Sequence, residues 1–158
     1  MSREPSKPDT LRAERIEYVA EQLLPHAAIV TRLLVKQVKG EEISRTEAGV
    51  LSTLVAAPRR ITELAELEGL AQPTMTLLVQ RLEQRGWVKR ERRADDGRVV
   101  IVSLTEAGST TLEEFRAQVG AVLRVHMEAM SDEQIAALET ATDALGSLVD
   151  SFLLASGR

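Results

Sequence analysis

Gln72, Thr74, Thr76 and Gln80 are uncharged side chains that donate and accept hydrogen bonds, and Arg81 follows them directly. Such groups suit base edges, which present donors and acceptors, while arginine suits phosphate oxygens. A few residues on, Lys89, Arg90, Arg92, Arg93 and Arg98 place five cations within ten positions. Residues 81–98 hold seven basic and four acidic side chains, a balance of +3, inside a chain of net charge −4. The balance is −1 over residues 1–80 and −6 over residues 99–158. Attraction to phosphate acts within a Debye length of ~8 Å, so the local sign matters more than the total. Charge alone also fits an ordinary solvated loop.

These groups need a helix and a hairpin to position them. At ~100° per residue, a helix opening on Gln72-Pro73 puts Met75, Leu78, Val79 and Leu82 on one face. Thr74, Thr76, Leu77, Gln80, Arg81 and Gln84 fall on the other. Pro73 suits a first helical turn, and Gly86 closes the helix. Leu77 points straight out, where it either meets thymine methyls in a groove or is a plain surface leucine. A shorter helix over 62–68 comes first and ends at Gly69, with Leu64 and Ala65 inward and Leu67 a candidate for the same face. Trp87-Val88 and Val99-Val100-Ile101-Val102 flank the charged, turn-rich loop and predict a β-hairpin. At its tip Arg98 follows Asp95-Asp96-Gly97. An arginine there reaches toward a minor groove, and Asp96 orients it by a charge-assisted hydrogen bond. Helix, turn, helix, basic hairpin is the order of a winged helix-turn-helix, which lays its second helix in the DNA major groove.

The rest of the chain predicts long helices. Leu11 to Val38 carries apolar residues at 3–4 spacing, with a kink expected at Pro25. Lys39-Gly40-Glu41-Glu42 breaks the pattern, Ser44 and Glu47 form a capping box for a second helix, and Pro58 closes it. Thr105 can cap a fifth helix reaching to about Met130. Ser131 with Gln134 opens a sixth, which carries Ile135, Leu138, Leu145, Leu148, Phe152 and Leu153. The expected fold is mainly α, with about six helices and a hairpin wing in a single domain over residues 11–153. Its head spans about 44–105, the helices at about 11–38 and 106–153 form a dimerisation region, and residues 1–10 are a disordered tail. The terminal stripes exceed what a small head needs, and a second copy would cover them. Packing on the head of the same chain is the alternative.

From Leu64 to Gly108 the sequence resembles the MarR family of bacterial transcriptional regulators, and the likeness extends over about residues 11–153. It rests on Leu64-Ala65, on Pro73-Thr74 through Thr76 into Leu78-Val79, and on Arg81-Leu82-Glu83 to Gly86. Asp96-Gly97-Arg98 at the wing tip and Leu104-Thr105 to Gly108 complete the ordered set. The resemblance implies a homodimer with interleaved terminal helices and two heads on a pseudo-palindromic operator, with Arg98 as wing arginine and Asp96 as its partner. It also implies an effector, a small aromatic or phenolic compound bound between the dimer base and the heads. The family often carries a basic residue where this chain has Leu77 and a second arginine where it has Gly97.

Composition narrows the alternatives. The absence of cysteine excludes disulfides, thiolate metal sites and thiol redox sensing. His26 and His126, the only histidines, lie far apart on long helices, and no metal or cofactor is expected. No apolar run approaches the ~20 residues that span a bilayer, and MSREPSKPDT is no signal peptide, so a cytoplasmic protein without membrane attachment is expected. No phosphate loop, nucleophile elbow or paired histidines suggest an enzyme. Tyr18, Trp87, Phe115 and Phe152 are the only aromatics, and none sits in a ligand motif. Two functions remain. One is a homodimeric repressor on double-stranded DNA, contacting it through Gln72, Thr74, Thr76, Leu77, Gln80, Arg81, Arg92, Arg93, Asp96 and Arg98, and released by an effector. The other is a winged-helix protein-interaction module without sequence-specific DNA binding.

Overall fold

A computed structural model describes residues 7–38, 43–92 and 99–156. In chain order the elements are α1 (Lys7–Gln37), α2 (Arg45–Ala56), β1 (Arg59–Arg60), α3 (Ile61–Leu67), α4 (Gln72–Gln84), β2 (Val88–Arg92), β3 (Val100–Leu104), α5 (Glu106–Met127) and α6 (Asp132–Ser156). The six helices and the wing of the expected winged helix-turn-helix are present. One detail differs from expectation: α1 starts at Lys7, so residues 7–10 of the expected disordered tail are helical, and Pro8 falls in a first turn where its missing N–H costs nothing. Pro25 lies inside the helix, as expected from the sequence.

The chain divides into two compact units, Met1–Val119 and Gly120–Arg158. The core of the first is aliphatic. Val50, Leu51 and Leu54 of α2 pack with Leu64 of α3, Met75, Leu78, Val79 and Leu82 of α4, Val102 of β3, and Leu112 and Phe115 of α5. α2 opens with the expected capping box: the Ser44 hydroxyl accepts from Glu47 N, and the Glu47 carboxylate accepts from Ser44 N at 2.7 Å. α3 and α4 both end in Schellman geometry. Leu70 N bonds Ala65 O and Trp87 N bonds Leu82 O, each at 2.9 Å, with Gly69 (φ 63°) and Gly86 (φ 75°) in the left-handed conformation. The turn at Gly69 corrects one expectation. Leu70 packs against the core, whereas Leu67 stays 59% exposed.

The sheet is antiparallel in the order β1-β3-β2. β2 pairs with β3 from Val88 opposite Leu104 to Arg92 opposite Val100. The strand is longer than the Trp87-Val88 pair because the charged run Lys89 to Arg92 completes its backbone bonding with β3 while its side chains stay largely in solvent. β1 pairs Arg59 with Val102 and Arg60 with Ile101 on the other edge of β3.

In the second unit, Ser131 N donates to Gln134 Oε1 and Gln134 N to Ser131 Oγ, the reciprocal bonds of a capping box that starts α6. Leu138, Leu145, Leu148, Val149 and Phe152 of α6 are exposed. On α1, Ile16, Tyr18, Val19, Leu24 and Leu33 are exposed, while Leu34 near its end and Val38 just beyond it are buried.

Candidate nucleic-acid interface

α4 is amphipathic in the expected sense. Met75, Leu78, Val79 and Leu82 are buried, and Gln72, Thr74, Gln80 and Arg81 are exposed. Leu77 is 62% exposed, directly opposite the buried face. Thr76 is half-buried, and its hydroxyl donates to the Gln72 carbonyl at 2.9 Å, which leaves its oxygen as an acceptor only. α4 is held by α3 and by the turn between them, and the turn is itself fastened to α2. There Glu68 accepts a hydrogen bond from the Thr53 hydroxyl at 3.1 Å, and its carboxylate lies over Gly49, where an added Cβ would come within 2.7 Å.

The C-terminal end of α4 is tied down by two devices. Arg85 sits 3.7 Å from the buried Glu47 carboxylate and lies over the Trp87 ring, 4.7 Å from its centroid. A buried carboxylate is costly without partners, and Glu47 has both this cation and the Ser44 amide. Thr105, expected only as a helix cap, does more. Its hydroxyl accepts from Gly108 N at 3.0 Å, donates to the Gly86 carbonyl at 2.6 Å, and its amide donates to the Trp87 carbonyl. Gly108 packs so closely that a Cβ would lie 2.0 Å from Trp87 O. The end of α4, the base of the wing and the start of α5 therefore meet at one hydroxyl and one glycine.

The wing cations divide into two groups. Lys89 is paired with Glu91 at 3.0 Å on the surface of its own strand. Arg90 Nε donates to Glu83 Oε2 at 2.7 Å, which draws the Glu83 carboxyl below its ordinary pKa through that hydrogen bond and the adjacent positive charge. Arg92 and Arg81 are exposed and make no ion pair among the described residues. Arg93, Asp96 and Arg98 lie outside the described residues. The structure thus brings Gln72, Thr74, Thr76, Leu77, Gln80 and Arg81 onto one helix and sets Arg92 on the neighbouring strand. Between α4 and the sheet is an open cleft of 410 Å³, lined by Arg60, Thr62, Gln72, Thr76, Arg90 and Val100 among others. Sequence reasoning missed Arg60, Thr62 and the Glu83–Arg90 pair. The pair had one signal, a carboxylate and an arginine seven positions apart across a glycine turn. Among the described residues, no helix is long and apolar enough to cross a membrane.

Residues 43–100 match the family model described as MarR family. A transcriptional regulator of Bacillus subtilis, YpoP, is 25% identical over 128 residues, covering 76% of this chain and 91% of that one. The HTH-type transcriptional repressor MdtR of the same organism is 29% identical over 76 residues, 48% of this chain and 49% of the relative. The structure of a MarR family protein from Bacillus stearothermophilus superposes with a TM-score of 0.65 at 28% identity, covering 87% of this chain and 97% of that one. These comparisons agree with the resemblance drawn from Leu64 to Gly108: residues 43–100 are similar to the MarR family, and the relatives are named as HTH-type transcriptional regulators.

Proposed function

We propose that this chain acts in the cytoplasm as a MarR family regulator, a homodimeric repressor of transcription. α4 enters the major groove of a pseudo-palindromic operator, and the wing follows the adjacent backbone and minor groove. The observation that carries the reading is the division of α4 into a wholly buried aliphatic face and an exposed face of Gln72, Thr74, Leu77, Gln80 and Arg81, beside a strand that holds Arg92 clear of any ion pair among the described residues. Hydrogen-bonding groups on a fixed helix read base edges, and the flanking arginines neutralise phosphates. Arg93 contributes to the phosphate contact, Arg98 reaches the minor groove, and Asp96 orients it.

The dimer reading is supported by the apolar residues exposed on α1 and α6, side chains that gain nothing in water and gain about 25 cal/mol per Å² when covered. A repressor role has the support of the relative MdtR, whose name states that role. Release by a small aromatic or phenolic effector completes the proposal. Selection from a randomised pool of DNA duplexes tests it. The enriched sites should be inverted repeats with half-site centres about 10 base pairs apart, bound by two copies, and aromatic acids or phenols should weaken that complex. A pool from which nothing is enriched would defeat the proposal.

A further inference from the structure

Arg90 is a wing cation whose geometry gives it a task other than phosphate contact. It lies in the middle of β2, opposite Val102 of β3, and reaches back across the Gly86 turn to Glu83 on α4. Its Nε and Nη2 both address the same carboxylate oxygen, Oε2. Two open clefts border it. The 410 Å³ cleft runs toward Gln72 and Thr76, and a second of 190 Å³ lies among Glu83, Arg90, Arg92 and Val100. Both are lined in part by Arg90 and Val100, so among the described residues the space between the outer part of α4 and the outer part of the wing is partly open. At the base, Trp87 and Val88 are buried in the core and hold the two elements together. Beyond that base, among the described residues, the Glu83–Arg90 pair is an ion pair that joins α4 to β2.

We propose that Glu83 and Arg90 form a strut that sets the spacing between α4 and β2, and that both are positioning residues for DNA recognition rather than contacts to DNA. The inference rests on the DNA-binding reading above. On that reading α4 presents Gln80 and Arg81 to one stretch of the duplex while β2 presents Arg92 to another, and both are satisfied together only at one separation. An arginine bonded through Nε to a carboxylate is well suited to hold it, because its planar guanidinium fixes direction as well as distance. A free arginine would instead add one phosphate contact wherever it could reach.

The sign of one substitution separates these roles. Glu83→Gln preserves shape and removes a negative charge next to the proposed DNA surface. If Arg90 is a latent phosphate ligand, the variant should bind tighter, and its salt dependence should steepen by about 0.9 for each additional phosphate neutralised. The strut predicts the reverse. The probes are the duplex most enriched from the randomised pool and a non-enriched duplex of equal length. Glu83→Gln and Arg90→Lys should each weaken binding to the enriched duplex by roughly 5- to 30-fold, with a salt slope close to that of the parent and the far-UV circular dichroism of a fully folded protein at the assay temperature. The exchanged pair, Glu83→Arg with Arg90→Glu, should recover most of the loss, a rescue that a phosphate-binding Arg90 would not allow. Tighter binding by Glu83→Gln, single variants that bind like the parent, or an exchanged pair that recovers nothing would each overturn the strut. If the parent protein enriches no duplex at all, the DNA-binding reading fails first, before any variant is compared.

Discussion

Replacing Leu77 tests whether an apolar side chain on the exposed face of α4 carries sequence information. Full burial of a leucine is worth ~1.5–3 kcal/mol, and Leu77 is 62% exposed, so ~1–2 kcal/mol remains available to a partner surface. A thymine methyl covers only part of that side chain, which leaves about 1 kcal/mol per half-site and about 2 kcal/mol for a site read by two copies. Leu77→Ala should therefore weaken binding to the preferred duplex by roughly 30-fold. Stability should shift by no more than ~0.5 kcal/mol, because the residue lies opposite the buried face of Met75, Leu78, Val79 and Leu82. The loss should be confined to duplexes carrying thymine at one symmetric position of each half-site, with the salt slope unchanged. The assay titrates parent and Leu77→Ala against the preferred duplex and against its single-base-pair variants. A uniform loss across all of them, or none on any, would show that Leu77 reads no base.

Three further outcomes are expected. On the proposed pairing of Asp96 with Arg98, Asp96→Ala should weaken binding to the preferred duplex although it removes a negative charge; tighter binding in a filter or anisotropy titration would mean simple repulsion. Thr105→Val removes the hydroxyl that joins Gly86 O to Gly108 N, which should cost roughly 1–2 kcal/mol and lower the unfolding midpoint by about 2–4 °C per kcal/mol; an unchanged midpoint by calorimetry would refute the linking role. Glu83 has a folded pKa below its ordinary value of 4.5 because of Arg90, so its charge contributes stability above that value, and the contribution is lost as pH falls through the depressed folded pKa. Parent and Glu83→Gln should accordingly differ in denaturant midpoint at pH 7 and converge in acid, and a difference as large in acid as at pH 7 would contradict the assignment.

Much of this arrangement is legible in the sequence because it rests on local rules. The split of α4 into Met75/Leu78/Val79/Leu82 and Thr74/Leu77/Gln80/Arg81 follows from helical period alone, and Gly69 and Gly86 mark helix ends because they must take positive φ. What escaped depends on partners distant in sequence. β1 consists of two arginines with no strand signature and exists because the free edge of β3 pairs with them. Leu67 fits the inward period of α3, yet the helix ends there and the chain turns Leu70 inward instead. Thr105 reads as a cap, but its bond to Gly86 spans 19 residues and needs the hairpin to be closed first. The roles of Lys89 and Arg90 were hidden for the same reason. Counting cations gives a basic wing, whereas the fold pairs two of them with Glu91 and Glu83. The proposed contacts at Arg93, Asp96 and Arg98 lie outside the described residues and rest on sequence and family resemblance.

The most direct test of the central claim is the salt dependence of duplex binding by the parent protein and by Arg92→Ala. With Arg81, Arg92 and Arg93 of each copy on phosphates, log K should fall linearly with log salt at a slope of roughly −5. Arg92→Ala should make that slope shallower by about 1.8, two contacts at ~0.9 each, while leaving the preferred sequence unchanged. Binding that is indifferent to salt, or a slope that Arg92→Ala does not alter, would contradict the placement of this helix and wing on DNA.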